Sequence, residues 1–404
     1  MWFLFVACGF SVILLAMQKR VVKFGGSNLK SREDIKKLVT TVSRYEEPVV
    51  IVVSAFFGIT NYLTEGLETV RSDQNHVDSM REFLQTMKRE TINENIDDPV
   101  LAEKVYLQVA ERIAQLEKYL LGIHYIGEIP ASVEDRVLSY GERLSSLLLT
   151  EILKSVGIDA EEQLPESIGL VTDGAFRNAT VDFALSEPAV YAALGDGQVY
   201  VVPGFYGVST DGKITLLGRG GSDYSAAAIA RCVGAKSLDI WKDVDGYMTA
   251  DPKIVDHPSK IEKLSYTEAA ELSYFGAKIL HPRTVEPLLE AGIPIRIFNI
   301  ENMDPTEAAL SEISSDGEVS RSVVKSVTYS DQFAMLKLSG PGVGIKHGVL
   351  AGATALLDSG GINIKSVVTA QTVINIYLES YVLDRAYTIL REHHDGTVIQ
   401  VPPY

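Results

Sequence analysis

Cysteine is nearly absent from this 404-residue chain. The two that occur, Cys8 and Cys232, lie far apart, and neither belongs to the Cys-x-x-Cys pair that zinc or dithiol chemistry needs. A reduced compartment suits them, with Cys232 a small core residue. The seven histidines are scattered and form no metal-binding cluster. Basic runs are missing as well: 37 Lys and Arg face 53 Asp and Glu, a formal net charge of −16, and no Lys/Arg-rich stretch offsets it locally. Such a chain repels a phosphate backbone, which makes nucleic acid a poor partner. Low-complexity segments and convincing internal repeats are also lacking. The long charge-free run is residues 2 to 17, slightly shorter than the ~17 to 25 residues of a spanning helix and without the basic segment of a secretory signal. It leads through Lys19-Arg20 straight into an apolar strand, leaving no tether. Residues 1 to 17 are therefore read as an N-terminal extension, with Met17 the expected start, in preference to a short membrane anchor. No membrane association is expected, and the setting is cytoplasmic.

What is present fits a globular chain of two or three domains, 46% hydrophobic and 22% charged. From Val21 the pattern is strand, turn, helix, strand. "RVVKF" is β-branched and apolar, "GGSN" is a turn, and "PVVIVVSA" is a continuous apolar strand. Between them "SREDIKKLVTTVSRY" carries Ile35, Leu38, Val39 and Val42 at helical spacing. Such units predict an α/β fold, a three-layer sandwich with a mainly parallel sheet. Residues 64 to about 120 read as a charged helical insertion or lid. One long helix is expected from Ser132, with Val133, Val137, Tyr140, Leu144 and Leu148 as its apolar stripe. Further strands are "QVYVVPGFYG", "KITLLG", "LDIWKDVDG" and "IPIRIFN", the first two joined by a "VSTDG" hairpin. Residues 301 to 325 are polar and turn-rich, a connector. Residues 326 to 404 follow the order βαββαβ, the ferredoxin-like arrangement in one copy.

Three glycine- or aspartate-rich turns offer chemistry. "VVKFGGSN" places Lys23 at a strand end, followed by Gly25 and Gly26, whose backbone can approach a phosphate closely. It matches neither a Walker A loop nor Gly-x-Gly-x-x-Gly, and alone it is no more than a βα turn. "LLGRGGSDYSAAAIA" sets Arg219 among glycines at a strand–helix junction; Ser222 or Asp223 could cap that helix, but capping does not account for the arginine. A carboxylate or phosphate site does. "WKDVDGYMTADPK" gathers Asp243, Asp245 and Asp251 after a buried strand, where α/β sheets bind ligands, although Asp-Gly and Asp-Pro also make turns unaided.

Together with "VVSAFFGITNYL", "LSYGERLSS", "PGFYG" and "FGAKILHP", these segments occur in the order and approximate spacing of aspartokinases. The chain resembles that branch of the amino-acid kinase family over residues 19 to 404, and its tail resembles the regulatory ACT domain. The resemblance implies a kinase domain at residues 18–300 and one ACT unit at 326–404. It implies phosphorylation of the aspartate side-chain carboxylate by ATP with Mg²⁺. Lys23 and Asp223 would be catalytic. Lys23, Gly25, Gly26, Ser54, Asp243, Lys253 and Lys278 would meet the nucleotide. Thr60, Glu142, Arg219, Gly220, Gly221, Ser222 and Asp223 would meet aspartate, Arg219 taking the α-carboxylate and Glu142 the ammonium. Without the resemblance Glu142, off the apolar stripe, reads as solvated. Ser27-Asn28 replace the usual Thr-Ser pair with little expected loss, and Phe56-Phe57 are bulky enough to narrow the mouth of the site. Aspartokinases usually carry two ACT units. The single one here would pair with another subunit in a homodimer, with an amino-acid effector at Gly348 and Asn363 as the further option; Lys365 argues against lysine as that effector. Another small-molecule kinase acting on glutamate, carbamate or a nucleoside monophosphate, or a non-catalytic amino-acid sensor, are the competing readings.

Overall fold

The structure is a computed structural model that describes residues 19–195, 197–277, 279–316, 324–340, 343–393 and 398–400. The expected N-terminal extension with Met17, and Lys278, lie outside the described residues. The chain divides into two compact units, with the boundary between Thr328 and Tyr329.

The first unit begins as its hydrophobic pattern requires. Strand β1 (Arg20–Phe24) leads through a 3-10 turn (Gly26–Leu29) into helix α1 (Arg32–Ser43), whose Asp34 N–H is capped by the Ser31 hydroxyl. Strand β2 (Val49–Val53) pairs parallel with β1. Helices α2 (Ile59–Ser72), α3 (Asn75–Asn95) and α4 (Pro99–Ile126) follow. They were expected as an insertion or lid, but Leu63, Met80, Leu84, Val105, Val109 and Ile113 are buried in one core with Val22, Ile51 and Val53 of the sheet. The helical segment is thus a layer of the domain.

The single long helix expected from Ser132 is interrupted. Helix α5 (Ala131–Leu138) gives way at Ser139 to α6 (Tyr140–Ser155), and the Ser139 hydroxyl donates to the Arg136 carbonyl while accepting from Arg143 Nε. A serine that bonds the preceding turn competes with regular helix geometry. Residues 140 to 153 are buried on every side, polar ones included, so α6 reaches solvent only in its last turn.

Then come β3 (Ala160–Glu162), α7 (Pro165–Ile168), β4 (Val171–Thr172) and α8 (Phe183–Leu194). The "QVYVVPGFYG" strand is two strands: β5 (Val199–Pro203) stays in the main sheet, and β6 (Tyr206–Ser209) turns into a small sheet with β4 and β7 (Ile214–Leu216). The turn lies at Phe205, whose φ of 75° few residues other than glycine adopt. The expected hairpin joins β6 to β7 in antiparallel pairing.

Helix α9 (Gly221–Cys232), β8 (Leu238–Lys242), β9 (Lys263–Leu264), α10 (Tyr266–Tyr274), α11 (Glu286–Ala291), β10 (Ile295–Asn299) and β11 (Ser311–Ile313) complete this unit. The stretch expected as a connector, residues 301 to 325, thus contributes strand β11, antiparallel to β10. The eight-stranded sheet runs β3-β5-β2-β1-β8-β10-β11-β9, parallel at every pairing except β10 with β11. Alternation sends Val22, Phe24, Ile51 and Val53 to one face against α1 to α6, and Val21, Val50, Val52 and Ile240 to the other against α8 and α9. The predicted three-layer sandwich follows directly from that period of two.

The second unit is β12 (Phe333–Ser339), α12 (Val349–Ser359), β13 (Ser366–Thr369), β14 (Val373–Glu379), α13 (Leu383–His393) and β15 (Val398–Gln400). Its antiparallel sheet runs β13-β14-β12-β15. This is the ferredoxin-like order that the sequence pattern predicts. Leu336, Leu338, Ile376, Leu378, Ala353 and Leu390 form its separate core.

Candidate active site

A cavity of about 860 Å³ opens at the carboxyl ends of β1 and β2. Its lining brings together Lys23, Gly26, Ser54, Thr60, Glu142, Arg219, Gly220, Gly221, Ser222 and Asp223, which are separated by up to two hundred positions in sequence. The amino ends of α2 and α9 both face it, through Gly58 and Thr60 on one side and Gly220 to Asp223 on the other. Unpaired backbone N–H groups and the helix dipole make such ends favourable to anions. Neither Ser222 nor Asp223 caps α9; its N-cap is Gly220 at φ 66°, so the capping role considered for them does not hold. Glycine is required there for a second reason, because a Cβ would collide with the His281 side chain. At Gly26 a Cβ would press on the Ala55 carbonyl at 2.9 Å, so the first turn can lie against the β2 loop only without a side chain.

Lys23 and Asp223 form an ion pair, and Lys242 Nζ approaches the other Asp223 oxygen at 3.5 Å. Lys242 is a site residue that sequence reasoning passed over. Its signal was the alternation Leu238, Ile240, Lys242, which puts it on the same sheet face as Val21 and Lys23 of the neighbouring strand. Burial alone would raise the Asp223 carboxyl, but the charges of Lys23 and Lys242 outweigh it and hold the group at about 2. Burial lowers Lys242, and Lys23 adds to the effect against the pull of Asp223. One carboxylate therefore organises two cations at the strand ends.

Glu142, which the resemblance makes a substrate residue and its helix position alone reads as solvated, is only 3% exposed. Burial raises its carboxyl to about 8, although the Ala55 N–H and the Ser222 hydroxyl, 3.4 Å from Oε1, favour the ionised form. Its second oxygen has no hydrogen-bond partner. A buried acceptor left open in a cavity is ready for a cationic donor. Arg219 lies exposed at the rim, and no carboxylate of the described residues pairs with it.

Gly25, Asp243 and Lys253 are not among the residues that line this cavity. Gly25 shapes the first turn: its N–H donates to Asn28 Oδ1 at 3.0 Å, and the Asn28 N–H returns to the Gly25 carbonyl. Asn28, a departure from the family's usual residue, thus locks the loop. Asp243 is exposed with Ser27 Oγ at 3.4 Å, and Lys253 is exposed, its backbone bonded to Asp251. Both phenylalanines line the cavity, Phe57 61% exposed at its mouth and Phe56 buried. Sequence reasoning also missed Asp135, which accepts from the Arg177 and Leu216 N–H groups and so ties α5 to the rim, where Arg177 pairs with Glu134. In the second unit Gly348 is the left-handed N-cap of α12 and Asn363 is exposed in the following loop. Lys365 pairs with Glu379 at 3.1 Å.

Parallel strands covered on both faces, with two helix amino ends and two lysines converging beyond their carboxyl ends, define an α/β protein built to hold small anions. A model of the amino acid kinase family matches residues 18–299, and the chain belongs to that family. It is 32% identical over 370 residues to the chloroplastic aspartokinase 1 of Arabidopsis thaliana, a match covering 89% of this chain and 63% of that one. The chain thus spans less than two thirds of that relative's length. Among solved structures it is similar to the aspartate kinase of Clostridium acetobutylicum, at 26% identity and a TM-score of 0.72, over 94% of this chain and 84% of the other. The aspartokinase III of E. coli in complex with aspartate and ADP shares the fold at 24% identity and a TM-score of 0.78, over 95% and 85% of the two chains. Among the described residues no helix is long and apolar enough to cross a membrane.

Proposed function

We propose that the protein is an aspartokinase, transferring the γ-phosphoryl group of ATP to the side-chain carboxylate of L-aspartate. The observation that carries this reading is the complement of charges in one cavity: an unpaired Arg219, a buried Glu142 with an open oxygen, and Lys23 held on Asp223, whose other oxygen meets Lys242 behind the lining residues. Arg219 suits the α-carboxylate in fork geometry, and Glu142 with Ser222 suits the ammonium. The side-chain carboxylate then faces Lys23 and the amino end of α9.

A carboxylate is already a nucleophile, so no general base is needed. Its oxygen bonds to the γ-phosphorus as the bond to the bridging oxygen breaks and ADP leaves; no proton moves. The protein's task is to bring two anions together and stabilise the spreading charge, through Lys23, the backbone of the glycine turn at Gly26, and the helix ends. Ser54, Asp243, Lys253 and Lys278 extend the proposed nucleotide site. Asp223 is fully engaged by two lysines, whereas Asp243 is exposed, so the donor set fits a Mg²⁺ carried on the nucleotide phosphates rather than caged by protein. When bound, that ion would neutralise phosphate charge. The product would enter aspartate-family amino-acid biosynthesis. A cytoplasmic setting and a homodimer paired through the ferredoxin-like unit, with an effector at Gly348 and Asn363 as a further option, complete the reading.

The assay is direct. With ATP and Mg²⁺ the protein should form an acyl phosphate that hydroxylamine traps as aspartyl hydroxamate, with far less product from glutamate and none without substrate. A folded sample that yields no aspartyl hydroxamate rejects the proposal.

Glu142 gives a second test. With its carboxyl at about 8, the empty site carries a proton on Glu142 at neutral pH, and binding an ammonium beside it expels that proton. The KM for aspartate should therefore fall as pH rises from 6 to 8, by up to about tenfold per pH unit, and level off above. In Glu142→Gln the KM should be high and flat over the same range. A wild-type KM independent of pH there would contradict the role.

A further inference from the structure

Helix α3 carries a lysine in the middle of its buried face. Lys88 follows Val77, Met80 and Leu84 at helical spacing and precedes Ile92, and it is 0% exposed. Its amine has no hydrogen-bond partner, and no carboxylate of the described residues pairs with it. What it does meet is an aromatic face: Nζ lies 3.3 Å from the centroid of the Phe56 ring. An ammonium is drawn to that face by the ring quadrupole, and a neutral amine can point an N–H at it. Burial drives the Lys88 amine well below its usual range. A leucine or methionine at this position would pack the core without stranding a polar group, so core packing gives no account of the lysine.

Phe56 connects this amine to the cavity. It lines the cavity together with Ser54, Ala55, Phe57 and Gly58, and its own N–H donates to Ser145 Oγ on α6 at 3.0 Å. The adjacent Ala55 N–H is one of the donors to the Glu142 carboxylate. Gly141, next to Glu142, is so close to Ala55 that a Cβ there would approach the Ala55 methyl to 2.9 Å. The ring, the 54–58 segment and Glu142 therefore form one packed chain, with the amine of the helical layer at its far end.

We propose that Lys88 is a positioning residue for the amino-acid pocket: seated on the face of Phe56, it fixes the 54–58 segment and, through Ala55, the Glu142 carboxylate. This rests on the aspartokinase reading. The role predicts a division in the kinetics. Lys88→Met keeps the volume and removes the amine; the KM for aspartate should rise about fivefold, with kcat and the KM for ATP changing far less. Its melting temperature should stay level or rise, since an unsatisfied buried amine is gone. Phe56→Leu, which keeps the lysine, should raise the same KM, and the double variant should add little more, because both act on one link. A crystal structure of Lys88→Met provides a readout that needs no substrate: the Phe56 ring should be displaced relative to the wild type. An unmoved ring, an unchanged KM for aspartate, or KM effects that multiply independently in the double variant would each overturn the proposal. Wild-type protein that makes no aspartyl hydroxamate defeats the functional reading instead, and the position of the ring still decides the coupling.

Discussion

Replacing Lys23 by methionine should lower kcat about 100- to 1000-fold, the loss typical when one preorganised charge is removed from a developing oxyanion. Lys23 ends β1, and its amine is fixed by Asp223 beneath the glycine turn and the amino end of α9. It cannot be replaced by a neighbour, because Lys242 is directed to the other Asp223 oxygen and to the Ile279 carbonyl. The KM for aspartate should change little, since Arg219 and Glu142 provide the ground-state contacts in the proposed mode. Steady-state kinetics with aspartate and ATP varied separately measure the split, and an unchanged kcat would remove Lys23 from the chemistry. The substitution also has an acid-side signature. Asp223 is depressed to about 2, so its pairing stabilises the fold above the ordinary carboxylate value near 3.8 and is lost as pH falls through 2. With one of its two cations gone, Asp223 should titrate higher, and acid unfolding of the variant should begin at higher pH.

Asp223→Asn should damage stability and activity together. The wild-type carboxylate is 7% exposed and neutralises the buried Lys23 and the half-buried Lys242. Removing it leaves those cations facing each other, a change that costs about 3 kcal/mol in buried pairs. The lysine that serves the phosphoryl group is also released, so kcat should fall about 100-fold or more. Adding Lys242→Met to the variant should recover part of the stability, because the repulsion is relieved, but not the rate. Urea unfolding of the single and double variants reads the first effect and steady-state kinetics the second. If Asp223→Asn unfolds at the wild-type urea concentration, the two-lysine arrangement is not what holds this corner of the site.

Much of this was legible in the sequence. The alternation of β1 and β2 told which residues enter the two cores, and the glycine turns after strands located Lys23, Gly26 and Arg219. Those signals are local: a strand end, a backbone that must approach a neighbour, and a charge beside it. Only the resemblance pointed to Glu142, because a helix with an apolar stripe is assumed to have a wet face, while α6 is enclosed by the sheet on one side and helices on the other. The break at Ser139 escaped for a related reason, since the hydroxyl chooses between solvent and the preceding carbonyl only once the helix is packed. Lys88 falls within the segment read only as charged and helical, and although it shares the spacing of Val77, Met80, Leu84 and Ile92, no local pattern told that it faces Phe56.

The sequence by itself determined the elements, the faces of the strands and the kinds of charge available, because hydrophobic period and turn chemistry act over a few residues. Tertiary structure alone decided which charges meet. Asp223 is held near 2 and Glu142 near 8, two carboxyls driven in opposite directions within one cavity. The difference is that two lysines from neighbouring strands pair directly with the first, whereas at the second burial outweighs the weaker pull of Lys23. Desolvation and Coulomb attraction depend on distances across the fold, and no local pattern in the chain records them.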